Sequence, residues 1–193
     1  MVHYEYGRIA RLARSLAQAG IDEAVCAEIL RGGESIRSST PAAKKAEWIR
    51  GAMERMDELL EPETCRGVRE ACACCLGGKR LECSRAIARN HPTLEERIEA
   101  ANETRFVFGH SVTMQEDGRV LVRFAPEGLP AYRCVCLPQA REPISETYCY
   151  CCGGHVKHHL QIALGTKLRC TVRSSALASS GKEGCTFLFD IVG

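Results

Sequence analysis

The chain has 193 residues, 45% hydrophobic and 26% charged, with a formal net charge of +2. This fits one folded domain, or a small domain with a helical extension, able to bury roughly 70% of its unfolded surface without cross-links. Its 26 Lys and Arg are interspersed with 24 Asp and Glu, and only 6% of residues are aromatic, so neither a basic nucleic-acid footprint nor a base-stacking platform is expected.

Tyr4 to Ala19 carries Ile9, Leu12, Ala13 and Leu16 near helical spacing, and Gly20 closes the segment. Ile21, Val25, Ile29 and Leu30 predict a second short helix ending at Gly32 and Gly33. Thr40 and Pro41 signal the start of a third, whose stripe of Trp48, Ile49, Met53, Met56, Leu59 and Leu60 runs until Pro62. Residues 1–62 therefore read as an N-terminal helical region. Without a basic recognition face, it is better taken as a cap on a core than as a DNA reader. Residues 64–102 continue helical, with Thr93 and Glu96 at capping-box spacing.

The periodicity changes after Asn102. Arg105 to Met114 and Arg119 to Phe124 predict strands about a turn at Glu116, Asp117 and Gly118, and Ala131 to Leu137 predicts another. Gly153 to Leu164 reads as a helix stopped by Gly165, followed by strands at Lys167 to Arg173 and Cys185 to Val192. Residues 63–193 are thus a cysteine-rich domain, and the fold class is α+β: N-terminal helices packed with a C-terminal antiparallel sheet, with one helix between strands.

Met1 to Ala19 contains Glu5, Arg8, Arg11 and Arg14 and no apolar run of signal-peptide length. The chain also lacks an uncharged apolar stretch of the roughly 18 residues that a bilayer span needs. The expected setting is a reducing cytoplasm, with no membrane and no nucleic acid as partner, and with a small-molecule ligand.

Thirteen cysteines are the strongest signal. The number is odd, and Cys74-Cys75 and Cys151-Cys152 are adjacent, with Cys72, Cys134 and Cys149 each one residue removed from a further cysteine. Adjacent Cα atoms stand about 3.8 Å apart, short of the roughly 4.4–6.8 Å a disulfide prefers. The clusters are better suited to thiols or thiolates converging on a cation. Two segments are alike: Cys72-Ala-Cys74-Cys75-Leu-Gly77-Gly78 and Cys149-Tyr-Cys151-Cys152-Gly153-Gly154. Glycines there permit positive φ, so that a loop can fold around an ion with its amides facing sulfur. His155, His158 and His159 share one helical face, and an imidazole from it can join the thiolates. The candidate metal ligands are Cys72, Cys74, Cys75, Cys83, Cys149, Cys151, Cys152 and His155. Zinc is the expected ion and an iron–sulfur cluster the alternative.

Cys26 and the strand cysteines Cys170 and Cys185 read as core on pattern alone, while Cys134 and Cys136 suit either core or ligand. No P-loop, G-x-S-x-G or H-E-x-x-H motif is present. The enzyme alternative is a thiol- or metal-dependent hydrolase, using Cys151 or Cys152 with His155 or His158.

The last forty or so residues resemble the small domain associated with 4-vinyl reductase. Cys152 precedes a helix, Gly165 follows it, and Gly181 to Phe187 reads G-K-E-G-C-T-F, like that family's closing G-x-x-x-C-x-F/Y. The region is also similar to the L-2-amino-thiazoline-4-carboxylic acid hydrolase-like family. The pattern usually carries a further cysteine where this chain has Leu177. The resemblance implies an α+β ligand-binding fold, a metal near Cys152 and Cys185, and a sensing or accessory role towards a small molecule.

Overall fold

Ile9, Leu12 and Leu16 recur at helical spacing and are buried along one side of α1 (Gly7–Gln18). The Asp22 carboxylate accepts from the amides of Ala24 and Val25, so α2 (Glu23–Ile29) begins there. The third helix, α3 (Ala42–Leu59), buries Ala46, Ile49, Ala52, Met53 and Met56 and takes Pro41 as its N-cap. Pro62 then opens α4 (Pro62–Ala71), where its missing amide costs nothing. In this computed structural model residues 3–192 are described. Met1, Val2 and Gly193, the outer ends of the two regions read from sequence, lie outside the described residues.

Residues 64–102 are helical as expected, but broken at the cysteines: α4 stops before Cys72, the chain is irregular through 73–76, and α5 (Gly78–Asn90) restarts after it. Cys75 at φ 62° and Gly78 at φ 59° make the break, because the left-handed region cannot continue a right-handed helix. The Thr93–Glu96 capping box forms as expected at the head of α6 (Leu94–Glu103). Thr93→Ala is expected to cost about 1 kcal/mol, seen as a lower melting temperature.

A correction concerns Arg105 to Phe108, which make a single helical turn, α7 (Arg105–Phe108), instead of starting a strand. Gly109 at φ 109° redirects the chain into β1 (Ser111–Met114). β2 (Val120–Arg123) pairs with β1, and β4 (Thr186–Val192) lies between β2 and β3 (Lys167–Ser174). The order β1-β2-β4-β3 is antiparallel throughout. The strand expected at Ala131–Leu137 does not form. That segment runs between Pro130 and Pro138, and its Tyr132 amide bonds to Gly181 O in a turn instead of to a sheet edge.

Helix α8 (Tyr150–Leu164) crosses the sheet and packs against α4, α5 and β3. Its Gly153 and Gly154 are helical and do not wrap an ion, which corrects the loop reading of this pair. They allow close approach: an added Cβ would stand 2.6 Å from Cys170 Sγ at Gly153 and 2.6 Å from Glu70 O at Gly154. One hydrophobic core runs from Ile9 in α1 through Phe108 to Phe187 and Phe189 in β4. Among the described residues no helix is long and apolar enough to cross a membrane.

Candidate functional site

Three segments bring sulfur to one place: the break after α4, the irregular stretch before α8, and the first turn of α8. Cys72, Cys74, Cys136 and Cys151 line a cavity of about 40 Å³ together with Arg8, Arg11, Arg69 and Tyr148. Cys136 Sγ stands 3.5 Å from Cys152 Sγ. Cys134 and Cys151 are the neighbouring thiols that act on the ionisation of Cys136 and Cys152. Cys149 and Cys185 are both buried and act on each other's ionisation, with Cys149 Sγ 3.0 Å from Ser175 Oγ.

Arginines supply the countercharge. Arg8, on α1, donates through Nη1 to Cys136 O at 2.7 Å and to Tyr148 Oη at 2.8 Å. Arg69, on α4, is 4% exposed, donates to Tyr148 O at 3.2 Å and stacks 4.8 Å from the Tyr148 ring centre. Its Nε has no partner. The ion pairs among the described residues include neither of these nor Arg11. A buried guanidinium without an anion is costly, and the groups facing Arg69 that can become anions are thiols and a phenol.

The thiols share their protons accordingly. Hydrogen bonds from Cys134 and Cys152, with Arg8 and His155 beyond them, hold the Cys136 thiol far below its ordinary range against the opposing effect of burial. Cys134 and Cys152, as donors to that sulfur, are pushed up. The neighbouring Cys152 thiol, whose one proton is shared between Cys136 and Cys151, and Arg69 bring Cys151 down to about 7. Burial, helped by the nearby Glu70 carboxylate, drives Cys170 up, as befits the core residue expected from its strand pattern. Cys185 is buried too, but it precedes β4 and pairs with Cys149.

His155 and His159 hold backbone, not sulfur, and the buried Nε2 of His158 has no hydrogen-bond partner. His155 Nδ1 lies 2.9 Å from Cys74 O, and its Nε2 lies 3.2 Å from Val107 O. His159 Nε2 donates to Cys75 O at 3.0 Å, and its Nδ1 accepts from Ser84 Oγ at 3.0 Å. Burial lowers the His159 pKa to about 4, which keeps the ring neutral for that arrangement. Together the two rings staple the 74–75 loop to α8.

Of the candidate ligands, Cys72, Cys74 and Cys151 line this cavity, Cys72 donating to Ser15 Oγ at 3.4 Å, and Cys152 joins it through its contact with Cys136. Cys75 Sγ is exposed, 3.8 Å from Cys74 Sγ. Cys83 lines a different hollow, between α5 and α6. Cys149 and Cys185 pair with each other, whereas Cys152 meets Cys136 and Cys151. Among the described residues no hydrogen bond joins Cys152 to Cys185, the two cysteines that the family resemblance implies. Among the described residues no group of three or more His, Cys, Asp or Glu is placed to hold a metal ion. Sequence reasoning left Cys136 undecided and passed over Arg8, Arg69 and Tyr148; the C-x-C spacing at Cys134 and Cys136 was the available signal.

The architecture is that of a cysteine-rich α+β protein with its sulfurs gathered where two arginine-bearing helices meet the start of a third. The chain belongs to a family described as a family of unknown function (DUF6144), which matches residues 13–189. No curated protein and no solved structure matches it.

Proposed function

We propose that this chain is a dithiol protein that exchanges electrons with a small-molecule disulfide through Cys136 and Cys152. The observation that carries this reading is the 3.5 Å contact between the two sulfurs, beside arginines that have no carboxylate. Cys136 attacks as a thiolate. One sulfur of the partner disulfide joins Cys136 and the other leaves as a thiolate. Cys152 then attacks Cys136 Sγ, gives up its proton, and releases the second partner sulfur. The sum is one disulfide consumed, two thiol equivalents released and one protein disulfide formed. Cys136 lies outside regular structure, so a shift that closes the gap breaks no helix or strand hydrogen bond of its own. A reducing cytoplasm would keep the pair as dithiol.

The hydrolase alternative has less support, because both ring nitrogens of His155 face backbone carbonyls, the buried Nε2 of His158 has no hydrogen-bond partner, and no hydrogen bond joins either imidazole to a thiol. A general base for a thiol nucleophile must lie within hydrogen-bond reach of it. Ligand binding by zinc or an iron–sulfur centre is the second reading. Two thiolates on one tetrahedral zinc stand about 3.8 Å apart, close to the 3.5 Å between Cys136 and Cys152. Cys74 and Cys151 could complete that set only by regrouping.

The test uses Cys152→Ser protein and bis(hydroxyethyl) disulfide. The expected product is a stable mixed disulfide on Cys136, whereas the unmodified chain passes from 13 free thiols to two fewer. A variant that accumulates no adduct on Cys136 would sink the dithiol reading. Elemental analysis of anaerobically purified protein decides the second: thiols masked by about one zinc or an iron–sulfur cluster per chain would put the metal reading ahead.

A further inference from the structure

The geometry points to a carboxylate-binding pocket built into the thiol centre, so that its substrate is an anionic low-molecular-weight disulfide. This rests on the dithiol reading and adds a charge preference to it. The cavity beside Cys136 and Cys151 is lined by three arginines from two helices, Arg8 and Arg11 of α1 and Arg69 of α4, and by no Asp or Glu. Its volume of about 40 Å³ exceeds the space one water needs and suits a group of about three heavy atoms. Arg69 is 4% exposed, yet its Nε lacks a hydrogen-bond partner. A buried donor left open in this way is rare and costly. A carboxylate oxygen at Arg69 Nε would satisfy it and add the charge that the guanidinium lacks. Arg11 reaches the site edge with one long contact, 3.5 Å from its Nη1 to Cys72 O, and is available to a second oxygen. Trp48, Ile49 and Met53 of α3 form the apolar wall opposite. The occupant is thus a short chain with an acid at one end and sulfur within reach of Cys136.

Dithiodiglycolate, bis(hydroxyethyl) disulfide and cystamine are, in that order, dianionic, neutral and dicationic disulfides. The rate at which each oxidises the protein is divided by its rate with dithiothreitol, a neutral dithiol, to remove intrinsic reactivity. The expected order is anionic over neutral over cationic. About tenfold should separate the first two at low salt, shrinking as salt rises. Arg11→Gln lowers the anionic-to-neutral ratio about threefold, while Arg14→Gln, exposed on the same helix, leaves that ratio as it was. Equal normalised rates, with the protein pair still oxidised, would overturn the pocket and leave the dithiol reading standing. Failure of all three disulfides to oxidise the pair would overturn both.

Discussion

At pH 5, iodoacetamide is expected to label Cys136 about tenfold faster than a cysteine of ordinary pKa, with Cys151, brought down to about 7, its nearest rival, and Cys136→Ser should abolish the faster component. An ordinary thiol titrates near pH 8.5, so its thiolate fraction falls about a hundredfold between pH 7 and pH 5. The lowered pKa of Cys136 has the opposite consequence: the thiolate persists as pH falls and is lost only below its folded pKa, about 3. Low basicity also weakens a nucleophile, with a Brønsted slope of about 0.4–0.5. At neutral pH this offsets the gain in ionisation, so Cys136 should not stand out there. Its rate should be nearly flat from pH 8 to pH 5. Cys134 and Cys149, whose pKa values are raised, should label slowly throughout. A Cys136 rate that climbs tenfold per pH unit across the same range would mean an ordinary thiol and remove the basis for its attack.

Gly154→Ala should be among the most destabilising single substitutions in the chain. The added Cβ meets Glu70 O at 2.6 Å and Glu70 Cα at 2.9 Å, both backbone atoms of α4 that have no rotamer to change. Alanine gains up to about 1 kcal/mol of helix propensity over glycine, while overpacking costs about 1–3 kcal/mol and more where backbone must shift. The net expectation is a loss of about 2 kcal/mol, or roughly 4–8 °C in melting temperature for a chain of this size. Gly67→Ala is the control: it lies exposed on α4 with nothing within 4 Å of the added atom, and should stabilise. Equal melting temperatures for Gly154→Ala and the native protein would mean that α4 and α8 are not in the contact described. Since α4 also carries Arg69, Gly154→Ala should disturb Cys136 reactivity as well.

The α+β class and most helices were legible because their determinants are local. Apolar spacing marked α1 and α3, Thr93 and Glu96 marked the start of α6, and Asp117-Gly118 marked the β1–β2 turn. Ala131 to Leu137 has the composition of a strand, but a strand also needs a partner edge, and local sequence does not reveal whether one is free. The two C-x-C-C-containing segments look alike on paper and fold differently. The first is a break with Cys75 left-handed, while in the second Cys151 and Cys152 occupy the first turn of α8. Successive helical residues project about 100° apart, which gives those two sulfurs different neighbours: Arg69 for one and Cys136 for the other. Arg8 illustrates the remaining gap. In the sequence it counted only against a signal peptide, because its role depends on residues 128 and 140 positions away.

Oxidation of the intact reduced protein with one equivalent of disulfide, followed by peptide mapping of the new linkage, tests the account most directly. A Cys136–Cys152 disulfide as the first product is the predicted result. First linkage at Cys74–Cys75 or Cys149–Cys185, with Cys136 and Cys152 still free, would contradict it.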